Sequence, residues 1–420
     1  MKSKKLWLIP VLLVILISCF INVAGAATTL NVLYMKQAGY SEKDIGDITA
    51  KFEAENPEID VNLIFVPYDS LHDKIVTAAA TRSKAYDVAL IDCIWTPEFA
   101  RAGFLIDVTR KMATVDTNDI FEGVLSSVAY DGHYYGMPWL NDTKYLFYNK
   151  KILSKAGYEA PPATWEELIQ QAKTIKEKGL VKYPIVWSWA QAEAAICDYT
   201  SLVAGFGGEI LDEKGNPCFN QGAGLEVLKF MVRTINEGLT NPSSKEFLEE
   251  DVRRVFSQGE AAFAMNWAYM YNLANDPAES MIAGEAEIAV VPGSKKAVSG
   301  SVNGGMGLAI VRGSRNPDLA WEYIQFMAGK EVQIEYSANA LPIYISAYDD
   351  PRVIGDQPTL ASVSKKQYKY VVNRPQVTWY PQLSQILQVE IQKALIGIKS
   401  PEDALNDAAD AAKKLKEKNK

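Results

Sequence analysis

Histidine is nearly missing from this 420-residue chain, which has two, His72 and His133. They stand far apart, in no ligand-spaced motif, and no Cys/His cluster occurs. The sequence therefore offers no metal centre, and both histidines read as structural or surface residues. Cysteine is scarce too: of four, Cys19 sits in the apolar N-terminal segment, leaving Cys93, Cys197 and Cys218. Three is odd, so at least one is free or pairs between molecules. Cys197 and Cys218 could close a short loop as a disulfide, or all three could serve as small buried side chains. A phosphate loop is lacking as well. Ser299 to Gly307 (SGSVNGGMG) is glycine-rich but fits neither G-x-G-x-x-G nor G-x-x-x-x-G-K-[ST]. No G-x-S-x-G elbow and no H-E-x-x-H occurs. Beyond the N-terminus no apolar run is long enough to span a bilayer.

Basic residues are outnumbered, 43 against 51 acidic ones, for a formal charge of -8. Lys2, Lys4 and Lys5 precede the apolar run Leu6 to Leu16, the n-region and h-region of an export signal. Without those three lysines the charge goes from -8 to -11. Such a surface disfavours nucleic acid, which needs basic patches, and suits a carrier that stays soluble and monomeric. Two processing sites compete. Leu16-Ile17-Ser18-Cys19 fits a lipoprotein signal (1–18, Cys19 lipidated), and Ala24-Gly25-Ala26 an ordinary signal peptide (1–26). The protein is expected in the periplasm or on the outer face of the cell membrane.

What is present is an ordinary globular composition, 48% hydrophobic and 22% charged, long enough for two domains. From Thr29 strands and helices alternate. Leu30–Met35 reads as a strand; Glu42–Asn56 as a helix with Ile45, Ile48 and Phe52 on one face, stopped by Pro57. Ile59–Val66 alternates as a second strand. A helix capped by Asp69 or Ser70 follows, and then the apolar strand Asp87–Ile91. The order βαβαβ implies parallel strands and right-handed crossovers. In such sheets ligands sit at the carboxyl ends of the strands. The loops there carry Tyr34 and Gln37, Tyr68 and Asp69, and Asp92 and Trp95, each a polar group beside an aromatic. Flat aromatic faces stack on the C–H faces of sugar rings, and carboxylates and amides take the hydroxyls.

Tyr135 to Leu168 organises the rest. Gly136 and Pro138 mark a loop, Asn141 and Asp142 follow, and Lys144–Tyr148 (KYLFY) reads as a strand. A helix then ends at Gly157, and Thr164 with Glu167 forms a capping box for the next. Further on, Tyr183–Trp189 (YPIVWSW) is expected as a strand that turns Trp187 to a groove or to a core. Val252–Gly259 leads into Glu260–Met265, and Asn266, Trp267, Ala268 and Tyr269 leave that strand. Gly304 and Gly305 would let backbone approach a ligand or bend at a domain crossing. Arg374 is a candidate bidentate hydroxyl clamp.

The stretch Tyr135, Gly136, Pro138, Leu146, Tyr148–Lys150, Gly157, Pro161, Pro162, Thr164, Trp165, Glu167 and Leu168 resembles the first inter-lobe crossing of the extracellular solute-binding proteins that feed carbohydrates to ABC importers. Phe52, Asn56-Pro57, Asp87-Val88, Asp92, Trp95, Phe99 and Gly103 are similar to the first lobe of that family, and Phe256, Gly259, Ala261, Ala262 and Met265 to its Phe-x-x-Gly-x-Ala-Ala-x-x-Met element. The resemblance implies an α/β, two-lobe periplasmic-binding-protein fold. Each lobe would be a mostly parallel sheet flanked by helices, joined by a multi-strand hinge. The lobes would be 27–141 plus 294–340, and 142–293 plus 341–420. It also implies Trp267 as sugar platform, Tyr269 beside it, Leu341–Tyr344 as third crossing, and hinge closure over a mono- or oligosaccharide that is passed to membrane permease subunits, with no cofactor and no catalysis. The alternatives are a non-sugar solute such as glycerol phosphate, or a secreted glycoside hydrolase. A hydrolase needs two paired carboxylates, and none of Asp69, Asp92 and Asp142 is paired in sequence. The candidate ligand residues are Tyr34, Gln37, Asp69, Asp92, Trp95, Asn141, Asp142, Trp187, Trp267, Tyr269, Gly304, Gly305, Tyr344 and Arg374.

Overall fold

The computed structural model describes residues 27–36, 39–338, 340–355 and 357–419. Both signal-peptide readings, Cys19 and Gln37 fall outside these residues. The chain builds two main sheets, each packed on apolar core. In the first, β1 (Thr28–Met35), β2 (Ile59–Val66), β3 (Val88–Asp92), β4 (Met137–Leu140) and β10 (Met306–Ile310) run in the order β2-β1-β3-β10-β4. The pairs β1/β2 and β1/β3 are parallel. Helices α1 (Glu42–Glu55) and α2 (Tyr68–Ala80) connect them. Ser41 starts α1 with a full capping box, its hydroxyl accepting from Asp44 N while the Asp44 carboxylate accepts from Ser41 N. Ile45, Ile48 and Phe52 go into the core as the helical period requires. All five residues of β3 are buried, as a strand covered on both faces should be.

The second sheet has the order β8-β5-β7-β6, with β5 Lys144–Asn149, β6 Ile185–Val186, β7 Phe263–Trp267 and β8 Ala286–Ala289. Helix α3 (Glu193–Gly205), α4 (Glu249–Ser257), α5 (Tyr380–Leu395) and α6 (Pro401–Lys418) belong to this half. A short parallel pair, β9 (Ser301–Val302) with β11 (Val371–Val372), ties two of the passages between the halves.

Four expectations are corrected. The sheets are mixed rather than mostly parallel. In the first sheet β10 is antiparallel to β3 and to β4, and in the second β5 is antiparallel to both β8 and β7, leaving β6/β7 parallel. In the first sheet β10 arrives only after the chain has passed through the second half, so no βαβ crossover fixes its direction against β3 and β4. The expected strand 183–189 is paired at Ile185–Val186 alone, and Trp187 then bonds Thr240 from inside the core. Asp69 does not cap α2. That helix starts at Tyr68 behind Pro67, and Asp69 stands in its first turn. Cys93, Cys197 and Cys218 are free thiols, so the disulfide reading does not hold.

Candidate functional site

A cavity of about 770 Å³ opens where the carboxyl ends of β1, β2 and β3 face the second sheet. The first half contributes Lys36, Tyr68, Asp69 and Asp92; the second contributes Glu193, Glu249, Glu250, Trp267 and Tyr269. Asn141, Asp142 and Gly304 come from the passages between them, and Arg374 from just beyond β11. The size is that of pockets enclosing small organic ligands.

Arg374 is buried, 2% exposed. Its Nη2 donates to Asp92 Oδ1 at 3.1 Å and its Nη1 to Glu193 Oε1 at 2.7 Å, so one guanidinium bonds both halves. The Asp92 carboxylate also accepts from the Tyr68 hydroxyl at 2.8 Å. Glu193 is held by the hydroxyls of Tyr380 and Ser384. Both Nη atoms of Arg374 are thus already engaged and its Nε is buried without a partner, so it is not the free hydroxyl clamp expected.

Trp267 leaves the end of β7. Its Nε1 donates to Glu249 Oε1 at 3.2 Å, and Lys144 Nζ lies 5.0 Å from the ring centroid. Lys144 is fully buried, donating to Asp198 Oδ1 at 2.5 Å and to Ser188 Oγ at 2.9 Å. Burial on its own would lower the Lys144 ammonium, but Asp198 and Glu249 outweigh it and hold it above its usual value. Burial lifts the Asp198 carboxyl to about 6, so at neutral pH it remains the charged partner. Gly304 makes room for the indole, since a Cβ there would stand 2.5 Å from Trp267 Cζ3.

Asp142 lies at the first passage. Its Oδ1 accepts from Thr143 N at 2.9 Å and from Ala268 N at 3.2 Å, and burial pushes the carboxyl up to about 7. Next to it, Asn141 donates to the Pro342 carbonyl at 2.7 Å and to Tyr348 at 3.1 Å, tying the first passage to the third. Glu250 accepts from Arg253 Nε through Oε2 and keeps Oε1 buried without a partner. Burial and the neighbouring Glu250 push the Tyr269 hydroxyl up.

The cavity therefore gathers Asp69, Asp92, Asn141, Asp142, Trp267, Tyr269, Gly304 and Arg374. It leaves out five expected residues. Tyr34 is fully buried, bonding Tyr323 at 3.1 Å beside Trp139. Trp95 stacks behind Tyr68 at 5.3 Å and braces that ring. Trp187 stacks on Trp189 at 5.0 Å inside the second core. Tyr344 donates to the Ala328 carbonyl at 2.9 Å in the first core. Gly305 packs against Ser127 and Asn303. Each is an aromatic or glycine whose sequence position fits a core as well as a cleft, and packing decided. Glu193, Glu249 and Glu250 were missed. They occupy first helical turns, where acids are common for the sake of the helix dipole, so their sequence carries no other signal.

Two α/β halves joined by several passages, with one cleft lined from both, define a two-lobed solute-binding protein. Residues 38–334 match the family model described as bacterial extracellular solute-binding protein, and the chain belongs to that family. It is similar to maltose-bound MalE3 of T. maritima, with 30% identity and a TM-score of 0.85 over 93% of this chain and 100% of that one. It is also similar to an ABC transporter solute-binding protein of Thermotoga lettingae with bound α-D-tagatose, with 26% identity and a TM-score of 0.83 over 93% and 100%. A curated relative from Deinococcus radiodurans, named "Probable ABC transporter-binding protein", is 27% identical over 360 residues, which is 82% of this chain and 84% of its own length. The protein is an extracellular solute-binding protein of the ABC-transporter type.

Proposed function

We propose that the protein captures a mono- or oligosaccharide in its cleft by hinge closure and delivers it to an ABC permease. The observation that carries this is the pairing of Trp267 and Tyr269 with Asp69, Asp142 and Asn141 around one cavity bounded by both lobes. An indole and a phenol offer faces to sugar C–H groups, and the carboxylates and amide offer directional partners to hydroxyls. Similarity to proteins bound to maltose and tagatose supports the same ligand class. The lobes are taken as 27–141 plus 294–340 and 142–293 plus 341–420, and a ligand touching both favours the closed state by its differential contacts. The protein acts as a monomer that returns its ligand unchanged. It stands outside the cytoplasmic membrane, on a lipid anchor if Cys19 is modified. Glycerol phosphate is the weaker reading, because Arg374 is already neutralised by Asp92 and Glu193.

A thermal-shift screen of the mature protein against saccharides, sugar alcohols, amino acids and glycerol phosphate tests this, because a ligand of the folded state raises Tm by mass action. A saccharide hit that is recovered intact and shrinks the radius of gyration is the expected result. Silence from every sugar, with a shift from another solute, overturns the assignment.

A further inference from the structure

We infer that the cleft selects a saccharide bearing a protonated amine over the corresponding neutral sugar, an inference that rests on the saccharide reading above. The cavity is lined by six carboxylate residues, Asp69, Asp92, Asp142, Glu193, Glu249 and Glu250, against two basic ones, Lys36 and Arg374. Lys36 is exposed and spent on Glu42 at 3.2 Å. Each buried cation around the cavity is outnumbered two to one. Arg374 meets Asp92 and Glu193, Lys144 meets Asp198 and Glu249, and Arg253 meets Glu250 and Glu279. Among the described residues no cation reaches Asp69 or Asp142 within ion-pair distance.

Part of that surplus has no cation of the protein to meet it. Glu250 Oε1 is buried with no partner, and both backbone donors to Asp142 go to Oδ1. Burial lifts Asp142 to about 7, a cost that an ammonium group beside it would remove. Tyr68 lines the cavity from the first half and Trp267 and Tyr269 from the second, and an aromatic face next to a carboxylate is the pairing that holds ammonium groups. Neutral hydroxyls need acceptors, which amides and carbonyls supply without net charge. An excess of negative charge lining a cleft acts on the ligand's charge more than on its hydroxyls.

The test is calorimetry on the full mature protein with matched pairs: glucosamine and glucose, fully deacetylated chitobiose and cellobiose, trehalosamine and trehalose, with spermidine as a cation that has no sugar ring. For the pairs that bind, the amine is expected to win by about tenfold or more at about 20 mM salt, and the gap to narrow at about 500 mM as charges are screened. In Glu250→Gln the ratio within a pair contracts. Neutral members binding as tightly as their amines overturn this inference and leave the saccharide reading standing. Binding of spermidine in place of every sugar overturns the saccharide reading. Binding of no member of any pair, and no spermidine, overturns both.

Discussion

Arg374 Nη1 donates to Glu193 Oε1 at 2.7 Å across 181 positions of sequence, while Nη2 of the same side chain bonds Asp92 on the other lobe. Removing the guanidinium leaves the buried Asp92 carboxylate and the partly buried Glu193 carboxylate without their shared cation. Arg374→Ala is expected to lower the unfolding free energy by about 3–5 kcal/mol, the cost of breaking a buried ion pair on one side. Urea denaturation measures it, and Asp92→Asn in the same background should restore part of the loss. Arg374→Lys keeps the charge but not the fork, and should fall between the two.

Trp267 is the most direct probe of the cleft wall. Trp267→Ala should weaken binding of the saccharide that scores in the screen by about 1.5–3 kcal/mol, the scale of a large apolar side chain. Calorimetry at fixed pH reads it. Unchanged affinity assigns the indole to the lobe core instead.

Gly304 is legible as the space that the Trp267 ring fills. Gly304→Ala pushes a methyl into that ring, and overpacking of this kind costs about 1–3 kcal/mol. Affinity should drop as the indole shifts. In the double variant with Trp267→Ala the glycine substitution should add little, because the atom it strikes is gone. Additive losses would show that Gly304 acts by another route.

Asp142 sets a pH dependence of known sign. Its folded carboxyl is raised from 3.8 to about 7, so between those values the native state holds a proton that the unfolded chain has released. Stability therefore falls as pH rises through that window. Asp142→Asn lacks this loss, so the variant should gain on the parent by about 4 kcal/mol between about pH 4 and about pH 8. Asp198, raised in the same direction to about 6, is present in both proteins and cancels in the difference. A constant difference across pH would place the Asp142 carboxyl in water.

Local order was readable from the chain, and long-range choice was not. Ile59–Val66 is a strand at the bounds its alternation indicates, and Thr164 accepts from Glu167 N as its capping spacing requires. At that box, however, Glu167 reaches back to Ala163 N rather than to the cap itself. Trp187 and Trp189 share a face as their spacing says, but whether that face is a groove or a core depends on Trp165 and Thr240, which are distant in sequence. Tyr34 sits at a strand end where ligands gather, yet Tyr323 and Trp139 bury it. Tyr68, two residues past the end of its strand, reaches the cleft instead. Glu193 became visible only with its partner in place, because a first-turn glutamate looks the same whether it caps a dipole or locks an arginine.

The place of β10 in the first sheet has a consequence for the newly made chain. Residues 306–310 fill an interior position between β3 and β4, and Tyr380 completes the same core. The other core waits for Leu383 to Ala412. A domain made of one continuous segment can fold as soon as its last residue is synthesised. Here neither half can close until almost the whole polypeptide exists. The order in which its own strands are delivered thus delays closure of both cores to the end of synthesis.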